Sequence, residues 1–532
     1  MGLSFQPVPF HWFMFFALVP YLYVLNKREG LGEISRLTYF TAFIFNIVTL
    51  YWVGSWTPDA DPFLMMAGSI LMFWNPILFL IPSTLFYAAK KLFNKNIAFI
   101  LLPLFWVSYE YVYSITEFRF PWLTLANSQS YFLTFIQITD IIGAYGLSLI
   151  LLFINVSLFF LVNKYLKEKR ISYIGIAALL SLVFIPILYG VIKINNYEQP
   201  GKKIKVGIIQ PDLNPNKKWE VGSLDQILDL YLDMSDKVIA EGGEIILWPE
   251  TALPVYLLSG NYNSTAQRIF DYAKQNDVHI LSGMPDAEFY REGDIVPDDA
   301  KPVKNSKSFY TSYNSILLFN PYNDKADKYG KIKLVPFGEK VPYVEDLPFL
   351  GDFLKWNVGI SSWNTGRDTV VFNFVKDRAI EDTVKIGAVV CIESIYPDFV
   401  SSFVKRGAEI ITVVTNDSWY GNSSGPYQHK EFSVLRAVEN RRSLIRCANG
   451  GISCLIDPLG NTIVETKMFE KTTLVVDAAL ENEISLYTKY PLLIPILCSV
   501  ISIWIFGMFL IKKMSIKFYP PEIEKEKHEK NN

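Results

Sequence analysis

The chain has 532 residues, of which 51% are hydrophobic, 15% aromatic and only 19% charged, with a formal net charge of −2. This composition is too apolar for an ordinary soluble protein, and the near-neutral charge excludes a strongly basic nucleic-acid-binding protein. The four cysteines do not form a disulfide framework, and the four scattered histidines predict no metal site.

Seven stretches approach the roughly 20 apolar residues that a membrane-spanning helix needs. They lie at 9–25, 37–54, 66–89, 97–114, 141–162, 171–194 and 490–511. The first six predict a multi-pass α-helical membrane domain over residues 1–196. The last predicts a C-terminal transmembrane helix followed by a basic tail, over residues 488–532.

The distribution of basic residues predicts how the chain is oriented. Lys and Arg are frequent after the first, third, fifth and seventh stretches, whereas the short loops near 55–65 and 115–140 contain only Arg119. Basic loops remain in the cytoplasm. We therefore expect the long segment 197–487 to lie on the periplasmic side of a bacterial inner membrane.

Segment 197–487 alternates short β-type runs with amphipathic helical stretches, which predicts an α/β domain large enough for its own core. The predicted strands are Ile204–Gln210, Glu244–Trp248, His279–Gly283, Ser315–Phe319, Ile386–Cys391 and Ile410–Thr415. The predicted helices are 223–241, 264–276 and 430–443. The polar segment 285–310 is predicted to be a surface loop.

Three side chains in or beside apolar stretches could together perform acyl transfer. Cys391 offers a thiol, which becomes a good nucleophile only when a base removes its proton. Glu250, at the end of the apolar run Ile245–Trp248, is placed to be that base. Lys331 could supply the positive charge that stabilises an oxyanion. Taken singly, each has a plainer explanation: a buried cysteine, a turn and a solvated lysine.

The flanking motifs add a resemblance that the single residues lack. The order Glu250, Lys331, Cys391 resembles the triad of the nitrilase (carbon–nitrogen hydrolase) superfamily, and more narrowly the apolipoprotein N-acyltransferase family. The motifs that carry this resemblance are LWPETALP at 247–254, YGKIKLVPFGE at 329–339, TNDSWYG at 415–421, GPYQH at 425–429 and FPWL at 120–123. They span nearly the whole chain.

The resemblance implies a nitrilase-like αββα sandwich for residues 197–487 and a role for each site residue. Glu250 corresponds to the general base, Lys331 to the oxyanion-stabilising lysine and Cys391 to the acyl-carrying nucleophile. Glu339 and Glu393 correspond to supporting carboxylates. Trp219 and Trp419 correspond to aromatic residues at the mouth of the site, where substrate binds.

The resemblance also implies the reaction and its participants. A phospholipid would donate its acyl group to Cys391, and the amino group of a diacylated apolipoprotein would then accept it, in ping-pong order. No cofactor or metal is expected. One complete site per chain indicates that a monomer would be active.

Three other interpretations remain open from the sequence. A membrane-anchored amidase would use the same triad but deliver the acyl group to water. A binding protein with a decayed nitrilase domain would need no triad, although all three positions are filled. A transporter is suggested only by Glu110, an acidic residue within a predicted span.

Overall fold

The computed structural model describes residues 1–55, 62–214, 222–343, 363–377 and 382–518. Among these residues, six helical segments are long and apolar enough to cross a membrane: Leu31–Gly54, Leu64–Leu92, Lys95–Ile115, Thr139–Glu168, Tyr173–Asn195 and Leu493–Ser515. They match six of the seven predicted stretches, and the protein is a multi-pass membrane protein. The α-helices of this region are Val19–Leu25, Leu31–Leu50, Pro62–Leu78, Leu80–Leu92, Lys95–Ile115, Leu133–Ile136, Thr139–Glu168, Tyr173–Asn195, Leu486–Lys489 and Leu493–Phe518.

The first predicted stretch, 9–25, forms a shorter apolar segment, His11–Leu25, made of a 3₁₀ turn followed by a short α-helix. Pro20 lies in the first turn of that helix. Proline is tolerated there but breaks a helix when it lies in the interior, so the helix begins at this point instead of continuing from His11. Hydropathy alone does not reveal this break.

The helix Thr139–Glu168 is broken at Gly143, whose φ of 65° and ψ of −178° are not helical. A Cβ atom at this position would lie 2.2 Å from the ring of Tyr487, so only glycine fits. Tyr487 belongs to the short helix that precedes the last membrane helix. The break therefore lets the C-terminal segment pack closely against the membrane region.

The region after the fifth long membrane helix folds into two mixed β-sheets. In chain order the strands are β1 (Lys203–Gln210), β2 (Ile245–Trp248), β3 (His279–Tyr290), β4 (Lys301–Pro302), β5 (Phe309–Phe319), β6 (Asp327–Gly330), β7 (Val371–Asp377), β8 (Asp382–Val390), β9 (Ile410–Thr415), β10 (Leu444–Ala448), β11 (Cys454–Ile456), β12 (Thr462–Glu465) and β13 (Thr472–Ala479). One sheet has the order β13-β1-β2-β3-β5-β4, with β6 paired to β5, and the other has the order β12-β11-β10-β9-β8-β7.

Alternating side chains of the strands produce the layers of this sandwich. In β2, Ile245 and Leu247 join the core shared with the second sheet, whereas Ile246 and Trp248 pack with helices Leu224–Ala240 and Asn263–Asn276. Helices Pro397–Lys405 and Ser424–Asn440 pack against the second sheet. The fold is a nitrilase-like αββα sandwich attached to a helical membrane domain, as the sequence predicts.

The predicted strands are all present, but β3, β5 and β8 are longer than predicted. β3 and β5 pair antiparallel along their whole length, from Ile280 opposite Phe319 to Tyr290 opposite Phe309. Both ends of the predicted loop 285–310 are therefore strand, whereas most of the segment between them is not. The outer end of this hairpin is partly exposed and mixes polar with aromatic residues, so no apolar alternation indicates a strand there. The domain boundaries at 196 and 487 remain a prediction.

Candidate active site

Glu250 follows the buried strand β2, and its carboxylate accepts two hydrogen bonds. Asn314 Nδ2 donates to Oε1 at 2.8 Å, and the backbone N–H of Asn416 donates to Oε2 at 3.0 Å. Gly283 lies directly behind, where a Cβ would approach the Glu250 Cα to 2.6 Å. Burial raises the pKa of Glu250, and the charge of Lys331 only partly opposes this rise. A carboxylate of raised pKa is a better proton acceptor near neutrality.

Lys331 follows β6 and its side chain is fully enclosed. Its Nζ lies 2.8 Å from Glu339 Oε1 and 3.6 Å from Glu250 Oε1. Burial alone would lower the pKa of Lys331, but the two carboxylates outweigh this effect and hold the pKa above its ordinary value. The ammonium therefore stays charged although it is buried. We call Glu250, Lys331 and Glu339 the acid–lysine cluster.

Asn314 links the two carboxylates of this cluster, and it was not among the site residues predicted from the sequence. Its Nδ2 donates to Glu250 Oε1 and to Glu339 Oε1, at 2.8 and 2.9 Å. Its backbone carbonyl accepts the N–H of Lys331 at 2.8 Å. A buried amide in β5, just before the apolar run 316–319, is the signal that could have identified it.

Cys391 lies at the turn where β8 ends and the 3₁₀ segment Cys391–Ile395 begins. Its φ of 49° is in the left-handed region, which costs a non-glycine residue about 1–3 kcal/mol and is typical of functional sites. Burial and the charge of Glu250 raise the pKa of the thiol, while Lys331 lowers it less strongly. The thiol is therefore neutral at rest, and a base must take its proton as it attacks.

Glu393 is fully buried and ties the loop of Lys331 to the turn of Cys391. Its Oε1 accepts the backbone N–H groups of Ile332 and Lys333 and the hydroxyl of Tyr329, at 2.7, 3.0 and 2.7 Å. Its Oε2 accepts the N–H of Val390 at 2.8 Å. This carboxylate fixes the spacing between the lysine and the cysteine.

A second charged group, the Asp417 cluster, also lies close to Cys391 and consists of Asp417, His429 and Arg446. Asp417 Oδ1 is 2.8 Å from His429 Nδ1, and Arg446 Nη2 donates to Asp417 Oδ2 at 2.9 Å. His429 Nε2 lies 3.1 Å from the carbonyl oxygen of Cys391. Asp417 and Arg446 were not predicted as site residues from the sequence, although Asp417 lies in the TNDSWYG motif.

One donor atom each of Cys391, Asp417 and His429 lies within 4.8 Å of the others, which is close enough to hold a metal ion. Hydrogen bonds already engage both nitrogens of His429 and both oxygens of Asp417. Because these atoms are already hydrogen-bonded within the protein, the arrangement suits a rigid hydrogen-bonded network better than a metal site.

Of the two tryptophans predicted to bind substrate, the structure describes only one. Trp219 lies outside the described residues. Trp419 belongs to the 3₁₀ turn Asp417–Tyr420, directly after Asp417, and remains 41% exposed. Its backbone carbonyl accepts a hydrogen bond from Ser55 of the membrane region at 2.8 Å. Its position next to the cluster is compatible with a substrate contact, which stays a prediction.

The FPWL motif joins the membrane region to the site. Trp122 Nε1 donates to Gln428 Oε1 at 2.7 Å, and the ring of Trp122 lies 5.6 Å from that of His429. Trp52 Nε1 is 3.1 Å from the same Gln428 oxygen. Residues of two membrane segments therefore support the helix that carries His429.

Comparison with known proteins identifies the family. The carbon–nitrogen hydrolase family model matches residues 205–486, and the model for the N-terminal domain of apolipoprotein N-acyltransferases matches residues 1–157. The apolipoprotein N-acyltransferase of Chlorobaculum tepidum is 34% identical over 91% of this chain and 89% of its own length. The chain belongs to this family. It is thus an acyltransferase built on a nitrilase fold.

A further relative agrees with this assignment, and the chain also resembles solved structures at low identity. The apolipoprotein N-acyltransferase of Geobacter metallireducens is 30% identical over 92% of this chain and 89% of its own length. Among solved structures, yeast Nit3 of the nitrilase superfamily is 16% identical, with a TM-score of 0.38 over 56% of this chain and 97% of its own. A Nesterenkonia amidase mutant is 17% identical, with a TM-score of 0.36 over 53% and 93%.

Proposed function

We propose that the protein transfers an acyl group from a phospholipid to the amino terminus of a diacylated apolipoprotein, through a thioester on Cys391. The names of the relatives support lipoprotein N-acylation in general. The observation that carries the proposal is the position of Lys331 Nζ, 2.8 Å from Glu339 and 3.6 Å from Glu250, with its charge acting on the Cys391 thiol.

In the first half-reaction, Glu250 takes the thiol proton while Sγ of Cys391 attacks the ester carbonyl of the phospholipid. Lys331 stabilises the negative charge that develops on the carbonyl oxygen. The ester C–O bond then breaks, and the proton held by Glu250 passes to the departing oxygen. A lysophospholipid leaves, and the acyl group remains on Cys391 as a thioester.

In the second half-reaction, the free amine of the apolipoprotein attacks the same carbonyl carbon. Glu250 takes a proton from the amine, and Lys331 again stabilises the oxyanion. The C–S bond breaks, the proton returns to the sulfur, and the amide product leaves. Because both substrates react at one sulfur, the kinetics are ping-pong.

The membrane region gives this chemistry its substrate. Removing an acyl chain from a bilayer costs about 0.8 kcal/mol per CH₂ group, or roughly 12 kcal/mol for fifteen of them. A site held at the bilayer surface avoids most of this cost. The distribution of Lys and Arg supports placement in the inner membrane of a bacterium, with the sandwich on the periplasmic side. A single chain contains all the proposed catalytic residues, so a monomer would be active.

The test is intact mass spectrometry of the full-length protein after incubation with a phospholipid of defined acyl chains. We expect one acyl adduct that maps to Cys391, disappears in Cys391→Ala and persists in Cys498→Ala, a matched control in the last membrane helix. A diacylated lipopeptide with a free amine should then discharge the adduct. Absence of the adduct would refute the thioester route. Discharge to water at the same rate without the lipopeptide would instead indicate a hydrolase.

A further inference from the structure

One basic residue of the membrane region and one of the active-site loop lie near enough for the first to act on the second by its charge, and we call Arg119 and Lys333 the basic pair. Arg119 lies between the membrane helix Lys95–Ile115 and the turn that carries Trp122. Its Nη2 donates to the carbonyl oxygen of Ile332, the residue before Lys333, at 3.4 Å. Lys333 itself follows Lys331 by two residues. The basic pair therefore lies near the end of a membrane helix and close in sequence to the proposed catalytic lysine.

Neither member of the basic pair has a full set of partners among the described residues. Lys333 is partly buried, yet its Nζ makes no hydrogen bond or ion pair within the described part of the chain. It lies over the rings of Tyr396 and Phe399, at 5.3 and 5.7 Å. The Nε atom of Arg119 is buried and has no hydrogen-bond partner. Buried charges and donors are normally paired, so these free positions need an explanation.

The neighbouring acidic groups do not neutralise the basic pair. The two carboxylate oxygens of Glu393 accept hydrogen bonds from four donors, and none of these donors is the Lys333 ammonium. Glu117 accepts the backbone N–H of Tyr343. Asp398 is near enough for its charge to act on Lys333, but no ion pair within 4.0 Å joins the two among the described residues. Burial and the charge of Arg119 together lower the pKa of Lys333, as expected for two cations that share a site.

We propose that the basic pair binds the phosphate group of the phospholipid acyl donor. A phosphate group between the two side chains would accept from the guanidinium of Arg119 and from the ammonium of Lys333, which are the charge-assisted bonds that phosphate favours. Val112 and Ile115, on the adjoining helix, are exposed and suit contact with lipid. This site rests on the proposed function, because it assigns the headgroup of the same donor.

The position of the basic pair relative to Lys331 fits such a donor. In a glycerophospholipid the phosphate and the reacting ester are carried on one glycerol unit, so their binding groups must be neighbours. Glu393 fixes the backbone N–H groups of Ile332 and Lys333 together, which holds the phosphate-binding and oxyanion-binding lysines in one rigid segment. Phosphate binding would thus place the ester carbonyl for attack by Cys391.

The experiment measures the rate of Cys391 acylation by two donors in the same detergent micelles. One is a phospholipid, and the other is a p-nitrophenyl ester of the same fatty acid, which has no phosphate. We expect Arg119→Gln and Lys333→Gln each to lower the preference for the phospholipid about tenfold, the effect of losing one charged hydrogen bond. Lys333→Arg should retain most of the preference. Lys307→Gln, at an exposed position remote in the sequence, is the matched control.

The two donors also separate this proposal from the proposed function. If the ester acylates the wild-type protein but the phospholipid does not, the proposed function fails. If both donors react and the preference is unchanged in Arg119→Gln and Lys333→Gln, the basic pair has no role in headgroup binding. Inorganic phosphate, added as a competitor in the same assay, provides a further test. Inhibition of the wild type by inorganic phosphate, with the donor preference unchanged in the variants, would assign the pair to free phosphate and overturn the proposal.

Discussion

Glu250 of the acid–lysine cluster and Asp417 of the Asp417 cluster are both buried near the same cysteine, yet their carboxylates are held differently. Burial raises the pKa of Glu250, which has two neutral donors and an ammonium 3.6 Å away. Burial acts on Asp417 in the same direction, but His429 and Arg446 outweigh it and the pKa falls below its ordinary value. Two similarly buried carboxylates near Cys391 thus become a proton acceptor in Glu250 and a fixed anion in Asp417, because their charged partners differ.

The difference predicts that the acid–lysine cluster controls the rate. Glu250→Gln keeps the size of the side chain but removes its ability to accept a proton, so we expect acylation of Cys391 to slow by about 10³-fold. The measurement is single-turnover acylation followed by mass spectrometry, with Glu292→Gln on the exposed surface as the control. A loss of less than tenfold in Glu250→Gln would show that another group takes the thiol proton.

The Asp417 cluster should instead control stability. Asp417→Asn leaves the fully buried guanidinium of Arg446 without its charge partner, and breaking a buried pair in this way costs about 3–5 kcal/mol. Chemical denaturation of the full-length protein, followed by tryptophan fluorescence, measures the change in the free energy of unfolding. Asp457→Asn, in a partly buried surface turn, is a comparison variant for which we expect a smaller loss. Equal losses in the two variants would contradict a special role for the cluster.

The two pKa directions also predict that acid removes activity before stability. The raised pKa of Glu250 means that its contribution to stability is fully present below the unfolded value of about 4.3 and is lost as the pH rises through the folded pKa. The depressed pKa of Asp417 acts in reverse, stabilising above the unfolded value of about 3.9 and losing this effect as the pH falls through the folded pKa.

On acidification from neutrality, Glu250 is therefore protonated first. Acylation should fall about tenfold per pH unit below its folded pKa, while the fold stays intact until the pH is low enough to protonate Asp417. Rate and unfolding midpoint measured on the same samples from pH 7 to pH 3 test this order. Simultaneous loss of rate and structure would mean that Glu250 does not limit the reaction.

The sequence predicted the parts of this architecture that depend on local patterns. Apolar length predicted the long membrane helices, and apolar runs followed by Glu250 and Cys391 predicted strands that present these residues at their ends. Where the pattern was interrupted, the prediction was wrong or incomplete. Pro20 shortens the first predicted span, and the outer end of the β3–β5 hairpin, where polar and aromatic residues mix, was assigned to a loop.

Only those site residues that lie in recognisable sequence motifs could be predicted. Glu250, Lys331 and Glu339 lie in motifs, and the structure brings them together. Asn314, which joins the two carboxylates, and Arg446, which pairs with Asp417, come from strands whose sequences carry no catalytic motif. Their roles arise from the packing of distant strands side by side, and this tertiary arrangement is not encoded at any fixed spacing along the chain.

The smallest predicted effect concerns Glu393, which joins the loop of Lys331 to the turn of Cys391. Tyr329→Phe removes one of its four hydrogen bonds and leaves the three backbone donors in place, so we expect a loss of about 1 kcal/mol in stability. Because the remaining bonds still fix the spacing, the acylation rate should change only a few-fold. Glu393→Gln places an amide N–H against one or more of these donors and should reduce both quantities much further.

The pair of variants separates two explanations of Glu393. If the carboxylate acts by holding two backbone segments at a fixed distance, stability and rate will fall together, and both will fall far more in Glu393→Gln than in Tyr329→Phe. If it acts instead through its negative charge on Lys331, Glu393→Gln will lower the rate and Tyr329→Phe will leave it unchanged. The Lys331 ammonium contacts Glu339 and Glu250 and makes no contact with Glu393 within 4.0 Å among the described residues, which favours the first explanation.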